Sequence, residues 1–119
     1  MRIVTKTISA APPAAGTWTE VISPSHNAGG QLNISISGTW MGTVYLQRSF
    51  DSGSTWLDVF ESKVNTEKAL IDSTDGVRYR LGMKNGGYTS GSAILNLVSS
   101  ASTPAGVGIL GNLEGATLV

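Results

Sequence analysis

Residues 49–56 read Ser-Phe-Asp-Ser-Gly-Ser-Thr-Trp, and this spacing gives each fixed position a mechanical task in a tight β-hairpin. The Asp51 carboxylate is placed to accept hydrogen bonds from backbone N–H groups of its own turn. Gly53 takes the positive φ that closes a short turn without steric cost. Trp56 can fold back over the hairpin as an apolar lid, and Ser49 and Thr55 complete the structural set. A turn fixed in this way sets the register of the strands on either side, so it commits the surrounding chain to antiparallel sheet.

The flanking residues carry the matching period. Leu32, Ile34 and Ile36 alternate with Asn33, Ser35 and Ser37, the pattern of a half-buried antiparallel strand. A turn is expected over Gly38–Gly42. Val44 and Leu46 then alternate with Tyr45 and Gln47, and further strands are predicted over 56–61, 67–72, 77–83 and 93–98, with turns at 73–76 and 85–87. Turn signals every 8 to 12 residues predict an all-β antiparallel sandwich, jelly-roll or Ig-like, over residues 17–99. In Val77–Lys84 the apolar phase is Val77, Tyr79, Leu81 and Met83, and the opposite phase carries Arg78, Arg80 and Lys84. That basic stripe reads either as a solvated outer face or as a docking strip for an acidic partner.

Both ends depart from the pattern. Residues 10–16, Ala-Ala-Pro-Pro-Ala-Ala-Gly, cannot pair continuously, because proline lacks a donor and fixes φ. Residues 1–9 could form a short strand, but the unpaired stretch after them leads to the expectation that residues 1–16 are an N-terminal arm and linker. Residues 100–119 form an apolar Gly/Ala-rich tail whose Val107, Ile109, Leu110, Leu113, Leu118 and Val119 are candidate interface residues, since solvated tails are usually charged and poor in aliphatics. The remaining question is whether the tail packs on its own domain or on a neighbouring subunit.

With 119 residues the chain is one domain, large enough for a small core without disulfides, and it has no cysteine. Eight basic groups balance eight acidic ones, so the electrostatic footprint of a nucleic-acid binder is missing, and no nucleic-acid partner is expected. Twelve of the sixteen charges lie between Arg48 and Lys84. The rest of the chain is nearly neutral and inclined to associate. No run is long enough for a membrane helix, and a soluble protein made in a cytoplasm is expected.

Catalysis, cofactors and metals are not expected. His26, the sole histidine, lies in a loop-like stretch, and no serine sits in a strained nucleophile turn. Asp72 and Asp75 are spaced for a turn, without the oxygen-rich loop that calcium needs. The glycine pairs at 29–30 and 86–87 lack the strand-then-helix context of phosphate loops.

The motif Ser49-x-Asp-x-Gly-x-Thr-Trp56 resembles the Asp-box of bacterial sialidases and related propellers, where it is structural; one copy excludes a propeller. The longer run from Gly38 to Ser99, with Thr43–Trp56, Val77-Arg-Tyr-Arg-Leu81 and Tyr88-Thr-Ser-Gly91, resembles small β-sandwich virion proteins of tailed bacteriophages. That resemblance implies a structural protein of the virion, made in the host cytoplasm, whose partners are copies of itself and a capsid or other virion protein. A capsid decoration or cement protein is the preferred role, ahead of a neck, tail or baseplate component. A third reading is a carbohydrate-binding module using Trp18, Trp40, Tyr45 and Tyr88 for stacking. Against it stands an aromatic content of 7%, which leaves few rings beyond those a core needs.

Overall fold

In the computed structural model, which describes residues 2–24 and 29–99, all regular structure is β. The strands are β1 (Arg2–Ile8), β2 (Thr17–Trp18), β3 (Gln31–Gly42), β4 (Val44–Ser49), β5 (Leu57–Ser62), β6 (Thr66–Ile71), β7 (Arg78–Met83) and β8 (Tyr88–Ser99). They form two four-stranded antiparallel sheets, β1-β8-β3-β6 and β2-β7-β4-β5. The first strand pairs with the eighth, the second with the seventh, the third with the sixth and the fourth with the fifth. The chain is thus one long hairpin folded over on itself, which is the jelly-roll arrangement rather than the Ig-like one.

Period 2 explains the core. The inward phases contribute Leu32, Ile34 and Ile36 from β3, Val44 and Leu46 from β4, Tyr79, Leu81 and Met83 from β7, and Ala93, Leu95 and Leu97 from β8. Each buried Leu, Ile or Val contributes on the order of 1.5 to 3 kcal/mol of apolar transfer, so the sandwich is held mainly by aliphatic packing. The tryptophans are not part of this buried set: Trp18, Trp40 and Trp56 are half-buried, and of the three only Trp40 packs against the core.

Three expectations need correction. Residues 2–8 are not a detached arm but an edge strand, paired with β8 from Arg2↔Ser99 to Ile8↔Ala93. Val4 and Ile8 enter the core while Lys6, on the same phase, reaches solvent at the edge and interrupts the visible alternation. Residues 9–16 are unpaired, as the prolines require, but they are tied to the body by Tyr88 Oη donating to Ser9 O (3.1 Å) and Asn85 Nδ2 to Pro12 O (3.2 Å).

The second correction concerns Gly38–Gly42, which is no turn: β3 continues through it, paired with an equally long β8 as far as Gly42↔Tyr88. Glycine bends the ladder here rather than ending it. Gly91, opposite Trp40, has φ +87°, and a Cβ there would lie 2.2 Å from Thr39 O. The third concerns Thr17–Trp18, which form a short strand on β7 that was not predicted.

The connections fall at two ends. Residue 43, the β5–β6 loop and the β7–β8 turn share one end, joined by Thr43 N donating to Gly87 O (2.7 Å) and Trp40 Nε1 to Asn65 Oδ1 (2.7 Å). At the other end lie the β4–β5 hairpin and the loop at Asp72, which is bonded to Gly30 and ion-paired with Arg48.

Candidate binding surfaces

At the β4–β5 hairpin, Ser49 is fully buried and acts as the hub. Its Oγ accepts from the backbone N–H of Gly53 (2.9 Å) and donates to Asp51 Oδ1 (2.8 Å), while that same carboxylate oxygen accepts from Thr55 N (2.8 Å). Gly53 has φ +92° and Ser52 is drawn to +61° beside it. The Thr55 N–H, the Ser49 hydroxyl and then the Thr55 hydroxyl hold the exposed Asp51 carboxyl below the usual aspartate value. These contacts shape the turn and set its register.

Trp56 leaves the hairpin and lies on the outer face of the β2-β7-β4-β5 sheet. There the Arg80 guanidinium is stacked between two indoles, 4.2 Å from the Trp18 ring centroid and 4.3 Å from that of Trp56. Arg80 Nε donates to Gln47 Oε1 (2.9 Å), and Gln47 Nε2 donates to Asp58 Oδ1 (2.8 Å). Asp58 Oδ2 accepts from Lys84, whose ammonium sits 4.3 Å over the Tyr45 ring. Burial alone pulls Arg80 below its ordinary value. For Asp58 burial pushes the pKa up, but the hydrogen bonds from Lys84 and Gln47 outweigh it and the carboxyl ends below the usual range. Lys84 is raised, chiefly by its hydrogen bond to Asp58.

Two members of the basic stripe are therefore engaged within the protein's own surface, and Arg78 is exposed. Gln47 and Asp58, which connect the row, carried no signal in the sequence. They meet through the pairings Gln47↔Arg80 and Gln47↔Asp58, the second set by an irregularity between Leu46 and Gln47.

The four rings proposed for stacking are not one site. Trp18 and Tyr45 belong to this row, while Trp40 and Tyr88 are at the loop end, where Tyr88 Oη donates to Ser9 O and to Gly91 O (2.9 Å). Trp40 borders an open groove of about 320 Å³ with Met41, Gly42, Thr43, Lys63, Gly86, Gly87 and Thr89.

The opposite sheet presents a different surface. Its outer phase is Ile3, Thr5 and Thr7 on β1, Ile94, Asn96 and Val98 on β8, Asn33, Ser35 and Ser37 on β3, and Glu67, Ala69 and Ile71 on β6. Glu67 is the one charge in that set. Ile3 is 55% exposed, Ile94 40% and Ile71 77%, and Thr5 Oγ1 donates across the strands to Asn96 Oδ1 (2.7 Å). The three isoleucines stand apart on this face, Ile3 opposite Val98, Ile94 opposite Thr7 and Ile71 on the far edge strand opposite Gln31, so the face is neutral and dotted with aliphatics rather than one apolar patch. The polar phase of β3 was legible in the sequence, but the isoleucines facing the same way were not, because they come from β1, β6 and β8, which meet β3 only through long-range pairing.

Among the described residues no three His, Cys, Asp or Glu side chains are grouped to hold a metal ion, and no helix is long and apolar enough to cross a membrane. His26 and the tail residues Val107, Ile109, Leu110, Leu113, Leu118 and Val119 lie outside the described residues. No family model matches the chain, and none of the curated proteins does. Among solved structures it is similar to the Yersinia pseudotuberculosis-derived mitogen YPM, with 15% sequence identity, a TM-score of 0.49, and coverage of 88% of this chain and 92% of that one.

Proposed function

We propose that this chain is a structural virion protein of a tailed bacteriophage, a decoration protein that lies on the assembled capsid through the outer face of the β1-β8-β3-β6 sheet. The observation that supports this reading most is that face itself, nearly uncharged, with Ile3, Ile71 and Ile94 open to solvent. A neutral, hydroxyl-rich sheet suits a flat protein lattice, because docking strips few charges of water.

Magnitudes decide how such a face must work. Four strands about 4.8 Å apart and seven residues long at about 3.3 Å each span roughly 19 × 23 Å, or on the order of 440 Å². A stable interface takes roughly 800 Å² per partner, so one face alone gives weak attachment. The proposal assigns the remainder to residues 106–119 bridging to a neighbouring subunit, and to several copies binding one symmetric shell. Placing the β1-β8-β3-β6 face against the shell leaves the aromatic and cationic row of the other sheet facing outward.

The test is co-sedimentation of the purified chain with particles that lack it. Wild-type protein is expected to pellet with the particles, and Ile94→Lys, which changes an exposed side chain, is expected to fold normally and remain in the supernatant. Equal binding by a folded Ile94→Lys variant would mean that this face does not carry attachment.

A further inference from the structure

The open groove at the loop end of the sandwich has no task in lattice attachment. Trp40 lines it, half-buried and packed in part against the core, and its indole is held by Nε1 donating to Asn65 Oδ1 (2.7 Å) while Asn65 Nδ2 donates in turn to Gly38 O (3.0 Å) on the strand that carries the tryptophan. A ring clamped this way loses little freedom when a ligand stacks on it. Around it stand the hydroxyl-bearing Thr43 and Thr89, the side-chain-free Gly42, Gly86 and Gly87, and Met41, 63% exposed. Lys63 also lines the groove and has no ion-pair partner among the described residues.

We propose that this groove binds an acidic glycan, with the apolar face of one pyranose ring stacked on Trp40 and the sugar carboxylate directed to Lys63. Three features select this class. A volume of about 320 Å³ is at the small end for ligand sites and suits one or two sugar rings. The groove is open rather than enclosed, so a polymer can run through it while a few residues are gripped. Its chemistry combines one rigid aromatic plane, hydroxyls and a single cation, which matches a ring that is apolar on its face, hydroxylated at its edge and negatively charged at one substituent. Lys84, just past the end of β7, is committed to Asp58 and Tyr45, so Lys63 is the charge available to the ligand.

The experiment titrates the full chain with oligogalacturonate, with a neutral galactose oligomer of similar length, and with polyglutamate, following tryptophan fluorescence and heat. The expected result is saturable binding of oligogalacturonate, weaker binding of the neutral oligomer, and none of polyglutamate. Lys63→Gln should weaken oligogalacturonate roughly two- to fivefold and leave the neutral oligomer unchanged. Trp40→Phe should weaken both sugars. Lys63 is exposed, so its variant should melt with the wild type, which keeps the test valid if Trp40→Phe loosens the fold. Lack of saturable binding by either sugar overturns the proposal, as does binding that Lys63→Gln leaves untouched. Equal binding of polyglutamate would replace a glycan with a general attraction for acidic chains.

Discussion

Ser49 shows how much one small side chain can determine. Its buried hydroxyl satisfies the Gly53 N–H and orients the Asp51 carboxylate, which in turn holds Thr55. Ser49→Ala should leave that backbone donor without its partner and lower stability by about 1 to 3 kcal/mol, measurable by urea denaturation. Asp51, Asp58 and Asp72 all sit below the ordinary aspartate value of 3.8 in the folded protein. For Asp72, burial pushes upward, but hydrogen bonds from Tyr79 and Thr74 and the nearby Arg48 charge prevail. Because the unfolded chain takes up these protons first, their stabilisation is fully present above about 3.8 and is lost as pH falls through that value toward the lower folded ones. The melting temperature is therefore expected to hold steady across neutral pH and to fall steeply below about 4. Tyr79 has the opposite sign. Burial, and then its hydrogen bond to Asp72 Oδ2 (2.6 Å), push it up to about 12, so its contribution is complete below 10.0 and is lost between 10.0 and about 12. In an alkaline titration followed by tyrosinate absorbance, Tyr79→Phe should remove a component that ionises at about 12.

At the scale of elements, what was legible depended on whether the signal was local. The Ser49–Trp56 turn and the alternation of β3, β4 and β7 were readable because each lies within a few consecutive residues. β1 was read as an arm because the proline stretch after it cannot pair, whereas the strand is held by β8, from the far end of the described chain, which no local signal reveals. The extension of β3 through Gly38–Gly42 was missed because glycine signals a turn locally, whereas here it admits close backbone approach from β8. That account carries its own test. Gly91→Ala adds a Cβ in a left-handed conformation against Thr39 O, and should cost more than about 1 kcal/mol and fray the paired ends of β3 and β8 in hydrogen exchange. The row from Trp18 to Lys84 was beyond local reading altogether, since its members come from four strands and meet through register.

For the whole molecule, the eight described strands end at Ser99, where the eighth has paired with both the first and the third. Truncation after Ser99 should therefore leave a folded sandwich with a cooperative melt. Under the proposed function it should bind particles more weakly than the full chain, because the sheet face alone falls short of a stable interface. Unfolding of the truncated chain would instead make residues 100–119 part of the domain. The proposed function itself is tested most directly by locating the protein on purified virions of a tailed phage whose genome carries this coding sequence, with gold-labelled antibodies against the folded chain in electron microscopy. The account predicts label distributed over the head shell; label confined to the neck or tail, or no label on intact particles, would contradict it.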